Sequence, residues 1–239
     1  MLNGLYSAAA GMIAQQTRID ALSNDISNVN TTGYKQVRTG FRDLVYNIEA
    51  GMRIGAGSAI VDAGRVFSQG GLQQSSDPLS VALDGPGFFQ VKRGDGSLAL
   101  TRSGDFHSDA NGQLVTGEGD RVWPPVNLPA GTNLDDVSIS STGAVAVKQT
   151  VVGQIQVMSV PSPSNLLPVG GSLFLPTTAS GGARQMSTQS IRQGFLEASN
   201  VDLASAMVNV IDAQRSYQMD SKAIQTQDQL MQIANEIRR

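Results

Sequence analysis

Proline and glycine divide this chain into three parts. All nine prolines fall between Pro78 and Pro176, and no glycine occurs after Gly194. Proline breaks a helix interior and glycine weakens one, so both ends are free to be helical and the middle is not. Each end also carries a seven-residue beat. Leu5, Met12, Ile19 and Ile26 form one line, and Ala8, Leu22 and Val29 a second that only Gln15 interrupts. The run Asn30 to Gly33 is expected to end this helix, with Gly33 in the left-handed cap conformation. At the other end, Ser199 and Asp202 read as a capping-box start, after which Leu203, Val210, Tyr217, Ile224 and Met231 repeat without a break. A strict heptad of this length marks a helix that packs along another helix. A helix over residues 200–237 would reach about 57 Å, too long to fold onto a small core. The stripes must pair with each other or with other subunits, and the length favours other subunits.

The middle reads as short strands separated by Gly, Asp, Asn and Pro turns. They are expected at 87–92, 98–102, 113–116 and 153–160, with residues 161–189 as loop. Val137 and Ile139, then a Ser141-Thr142-Gly143 turn, then Val145 and Val147 predict a hairpin with four apolar side chains on one face. The expected class is α+β, with N- and C-terminal coiled-coil helices bracketing a small, mainly antiparallel β domain. The terminal helices, 1–32 and 195–239, form one discontinuous domain; 33–75 is a connecting segment and 76–194 a β-rich outer domain.

Charged residues are only 15% of the chain, against ~25% in an average soluble domain. A weakly charged surface is easily desolvated, which suits burial against neighbours. With 17 Lys and Arg against 20 Asp and Glu, no excess of cations is present to neutralise a phosphate backbone, and nucleic-acid binding is not expected. No stretch approaches the ~20 apolar residues of a membrane helix, so no membrane insertion is expected. The first positive side chain, Arg18, comes too late for a signal-peptide n-region, so an export route without a cleaved signal peptide is expected. The absence of cysteine excludes disulfides, thiolate chemistry and Cys-type zinc sites.

Local motifs offer little chemistry. His107, Asp109, Asn111, Gly112 and Glu118 reproduce a calcium-loop spacing, but the first position is not Asp and the flanks read as strands rather than helices. A turn built on Asn111-Gly112 explains the same residues. His107 is the sole histidine, with no G-x-S-x-G elbow to accompany it. The Gly-rich pieces lack the lysine of a P-loop, Arg93-Gly94-Asp95 suits a hairpin tip, and Asp135 and Asp136 point to opposite faces of a strand. No catalytic residue, cofactor site or metal ligand is expected, and the chain is read as not an enzyme.

Longer patterns are more specific. The run from Leu22 to Lys35, with Asn24, Asn28, Gly33 and Tyr34, resembles the N-terminal signature of the rod and hook family of bacterial flagellar axial proteins. Phe67 to Leu72, Leu83 to Val91 with Gly87, Phe88 and Phe89, Thr101 to Phe106 and Asn111 to Val115 are similar to family blocks in family order. So are Asn200-Val201 and the stretch Gln214 to Ile224, which holds Arg215 and Lys222. The run Thr226 to Met231 is similar to the distal rod branch. One departure is the short passage from Tyr46 to Gly51, where longer members carry an insert. The resemblance implies a rod subunit of the flagellar basal body, exported through the flagellar type III apparatus. It implies polymerisation with copies of itself into a helical drive shaft, and contact with other rod and hook proteins. The subunit interface is then expected on Leu5, Met12, Ile19, Leu22, Ile26, Val29, Leu203, Val210, Tyr217, Ile224 and Met231. The alternative is a secreted β-domain hydrolase or calcium-dependent adhesin with helical dimerisation arms.

Overall fold

The computed structural model describes residues 2–47, 53–186 and 190–237. Residues 48–52, which include most of the short passage from Tyr46 to Gly51, lie outside the described part. The chain forms an α+β fold of two compact units. The first takes Met1–Ser27, Val37–Gly64 and Asp202–Arg239; the second takes Asn28–Gln36 and Arg65–Val201.

The first unit holds α1 (Leu2–Ser27), β1 (Val37–Asn47), most of β2 (Arg53–Arg65) and α2 (Leu203–Ile237). The α2 cap is Asp202 rather than Ser199. Asp202 accepts the Ala204 N–H at 3.1 Å on Oδ1 and the Ser205 hydroxyl at 2.7 Å on Oδ2. Ser199 instead accepts the Val201 N–H at 3.3 Å.

The two helices pack on each other within the unit. An added Cβ on Gly11 would lie 2.7 Å from Asp220 Oδ2, and Arg18 Nη2 donates to Asn209 Oδ1 at 3.3 Å. Rising numbers on α1 thus meet falling numbers on α2, an antiparallel pair. The ribbon of β1 and β2 lies along α1. Val37 N–H donates to the buried Asp25 at 3.1 Å, and the Arg18 guanidinium sits 5.8 Å over the Phe41 ring. Gly57, at φ +96°, leaves no space for a side chain: a Cβ would stand 2.9 Å from both Ala10 Cβ and Ser7 O. The small residues Ser7 to Gly11 permit that approach.

The second unit is built of short strands. They are β3 (Leu72–Gln74), β4 (Val81–Leu83), β5 (Phe88–Lys92), β6 (Leu98–Thr101), β7 (Phe106–Ser108), β8 (Leu114–Thr116) and β9 (Arg121–Val122). Then come β10 (Val137–Ile139), β11 (Ala144–Val147), β12 (Thr150–Gln154), β13 (Val157–Ser159), β14 (Leu167–Gly170) and β15 (Leu173–Leu175). The last are β16 (Arg184–Gln185), β17 (Ile191–Gln193) and β18 (Phe195–Glu197). The largest sheet runs β14-β15-β6-β5-β9-β8-β7, with β13 joining β5 to β16. Its pairs are antiparallel. The predicted hairpin is β10–β11, with Val137 opposite Val147 and Ile139 opposite Val145, and all four side chains are buried in the main core.

Two expectations fail here. The strand read over 153–160 is two strands, β12 and β13, with the buried Ile155 between them. The stretch 161–189, read as loop, contributes β14, β15 and β16, and Phe174 on β15 is a core residue. Phe174 stacks edge-on with Phe67 and Phe88, centroids 5.1 and 6.4 Å away.

Candidate assembly surface

An α2 residue that faces α1 must lie on the side marked by Asp220. Ala206 and Ala213, both essentially buried, share that side at helical spacing. So do Val210, Ile224 and Met231, which are half-buried. The α2 seam, expected between subunits, therefore lines the helix pair within one chain. Leu203 and Tyr217 on the same seam stay 42% and 38% exposed. On α1, Leu22 is buried and Leu5, Met12, Ile19 and Ile26 are half-buried; Val29, also half-buried, lies beyond the helix in the second unit.

The uncovered apolar area is elsewhere. Met207, Val208, Ile211, Met219, Leu230 and Ile233 are 48–64% exposed on the side of α2 away from α1. On α1, Tyr6 and Ile13 are each 69% exposed. The heptad reading missed these residues, although Val208, Met219 and Leu230 recur every eleven residues, close to three helical turns. A helix that is apolar on both sides needs a second covering partner. Arg215 and Lys222 share this outer side, and Asn24 is exposed on α1.

In the second unit, the signature residues gather around one buried carboxylate. Glu197 lies 2.5 Å from Lys35 Nζ and 3.2 Å from Arg102 Nη1, with both Lys35 and Glu197 fully out of solvent. Glu197 Oε1 also accepts the Gly70 N–H at 2.9 Å, and Lys35 Nζ donates to Ser68 O at 2.8 Å. Burial holds the Lys35 ammonium below its ordinary pKa, against the opposing pull of Glu197, and burial likewise lowers that of Arg102. Asn200 ties the same segments: its Oδ1 accepts the Gln36 N–H at 2.8 Å and its Nδ2 donates to Val66 O at 2.7 Å. Gly33 donates its N–H to Glu197 O at 2.7 Å. It does adopt φ +67°, but not as a helix cap, because α1 ends at Ser27; a Cβ there would lie 2.4 Å from Ser103 N.

Tyr34 stacks beneath the Arg65 guanidinium at 5.3 Å, and Val201 is buried. Asn28 accepts the Thr31 hydroxyl. Gly87, at φ +129°, lets Val157 approach, and Phe88 and Phe89 fill the two cores. Sequence reasoning missed Glu197, Arg102 and Arg65, whose partners are remote in the chain. The cluster thus fastens segment 33–36, the strand-free stretch 66–71 and β18 to one another; it has the ion pairs of a clamp.

The calcium-like spacing resolves into a turn. Asp109 Oδ1 accepts the N–H groups of Asn111 and Gln113, both at 2.8 Å, and Gly112 takes φ +77°. The hydrogen bonds, that from Gln113 foremost, hold the Asp109 carboxyl below its ordinary value. Glu118 packs instead against Gly171. His107 sits between Asp77 and Asp105, at 3.9 and 3.7 Å. Among the described residues no group of three or more His, Asp or Glu is arranged to hold a metal, and no helix is long and apolar enough to cross a membrane.

Three family models match the chain: flagella basal body rod protein over residues 5–35, the flagellar hook protein FlgE/F/G D1 domain over 82–147, and the flagellar basal body rod FlgEFG protein C-terminal region over 192–237. The flagellar basal-body rod protein FlgG of Borreliella burgdorferi is 38% identical over the whole of both chains. Those of Agrobacterium fabrum and Bacillus subtilis are 36% and 35% identical, over 98% and 97% of each chain. By these matches, which span its helices and its β unit alike, the chain belongs to the flagellar basal-body rod protein family.

Proposed function

We propose that this chain is a structural subunit of the flagellar rod that polymerises with copies of itself into the helical shaft carrying motor torque to the hook. The observation that carries the reading is the uncovered apolar side of the helix pair, Tyr6 and Ile13 on α1 and the outer residues of α2, in a member of the rod family. Apolar side chains gain about 25 cal/mol per Å² when buried, so contacts repeated over many copies make a stiff assembly. Leu203 and Tyr217 take part from the edge of the seam, and Val210, Ile224 and Met231 hold the pair together while offering their remaining exposed area to neighbours. The discontinuous helical part supplies the contacts from which the tube is built. Other rod and hook proteins adjoin it along the axis, and the chain reaches the basal body through the flagellar export apparatus.

The role is mechanical, and the family is not one of enzymes. A calcium-dependent adhesin has no support, because the Asp109 carboxylate is already engaged by its own turn. Electron microscopy of basal bodies purified from cells with and without the gene tests the proposal. The rod should be truncated without it and restored by its expression; complete rods in its absence would refute it.

A further inference from the structure

The last segment of the β unit, residues 191–200, completes it at several separate places. Among the described residues, β4 pairs only with β17 and β3 only with β18. β4 is buried along its whole length, and buried strand backbone is costly without its ladder. Ile191 belongs to the main core. The Gln193 side chain accepts the Ile139 N–H at 2.9 Å and donates to Pro78 O at 2.8 Å and Val137 O at 2.9 Å, which joins the turn before β4 to β10. Charge is ordered along the chain in the same way. Lys35 and Arg102 are buried cations, and Glu197 is the one anion that either pairs with among the described residues. Until Glu197 is in place, folding the unit would bury two positive charges with no counter-charge.

We infer that residues 191–200 are a closing clasp: the β unit has no stable form until they dock, so a chain delivered from its N-terminus keeps the unit open until residue 200 has emerged. The early cations oppose premature closure, and the late anion, arriving with β17 and β18, removes that opposition and supplies the missing strand partners together. The inference goes beyond the proposed self-assembly and does not depend on it. For a chain that travels to the basal body through an export apparatus, as proposed above, such a clasp delays folding during passage and completes it on arrival.

Native-state hydrogen exchange on the full-length monomer tests this. The N–H groups of Ile191, Gly194 and Ala198 donate to Ser141 O, Ser80 O and Gly71 O at 3.0, 2.8 and 2.8 Å. Their protection factors should lie within about tenfold of those in β5 and β6 and share their denaturant dependence, because the clasp opens only with the whole unit. Gln193→Ala, which removes three hydrogen bonds, should speed exchange in β5 and β6 by the same factor as at the clasp, at least about tenfold. Clasp amides exchanging more than about tenfold faster than those of β5 and β6 in the parent, or a Gln193→Ala effect confined to 191–200, would overturn the inference, since the rest of the unit would then stand without the clasp. If Gln193→Ala does not fold, the parent comparison decides. Neither result bears on self-assembly, which the basal-body micrographs test separately.

Discussion

Lys35 and Glu197, 162 positions apart in sequence, meet at 2.5 Å with both side chains fully buried. Two charges in that setting hold each other there, and removing either leaves the other stranded. Glu197 serves two cations, whereas Lys35 leaves Glu197 still paired to Arg102. Glu197→Gln should therefore destabilise the β unit by about 3–5 kcal/mol and Lys35→Met by less. Denaturant unfolding of the two variants gives the order; a Lys35→Met loss equal to or larger than that of Glu197→Gln would show that Arg102 does not share the carboxylate.

The inner face of α2 makes a different prediction. Ile224 lies on the side that meets α1, so Ile224→Asp should loosen the helix pair in the monomer as well as in the polymer. A half-buried carboxylate without a cation in an apolar seam costs about 1–3 kcal/mol. Far-ultraviolet circular dichroism of the monomer should show reduced helix content and an unchanged β-unit transition. Full helicity in the variant would mean that the pair does not depend on this seam.

Asp202 gives α2 an acid-sensitive start. The Ser205 hydroxyl first, and then the Ala204 N–H, hold its carboxyl below the ordinary 3.8. A group whose pKa is lower folded than unfolded stabilises the fold above the unfolded value, and that stability is lost as pH falls through the folded one. Helix content should hold from neutrality to about pH 4 and then decline. Asp202→Asn keeps a capping oxygen without the titration, so its decline should be smaller. Identical acid profiles for parent and variant would remove Asp202 as the cause.

Calcium should leave the melting temperature and the protease pattern unchanged, because a ligand that binds only the folded state must raise its stability. Differential scanning calorimetry with millimolar calcium and with chelator checks this. A clear upward shift would reopen the Asp109 loop as a site.

The terminal helices and the β10–β11 hairpin were legible because their periods, seven and two, persist over enough residues to identify a face. The strands in 161–189 were hidden for the opposite reason. β15 has three residues and β16 two, too few to show alternation, and Gly170, Gly171 and Pro168 dress them as loop. Glu197 was invisible because a lone acid in a short apolar run ordinarily lies in water, and its partners come from remote segments. The heptad on α2 marks the side that meets α1 within the chain, with Leu203 and Tyr217 at its exposed edge. Ala206 and Ala213 belong to the same side and are small enough for α1 to approach, so α1 covers part of the seam inside the chain. The outer line of Val208, Met219 and Leu230 was overshadowed by that stronger signal.

The central claim, that copies of this chain bury the outer side of α2 against one another, is tested most directly by Val208→Glu combined with Met219→Glu. Both residues are more than half exposed in the monomer, so the double variant should melt like the parent. Its assembly, read by sedimentation and by electron microscopy of basal bodies, should be abolished, and cells carrying it should be non-motile. Intact rods and normal motility with glutamate at both positions would contradict the account.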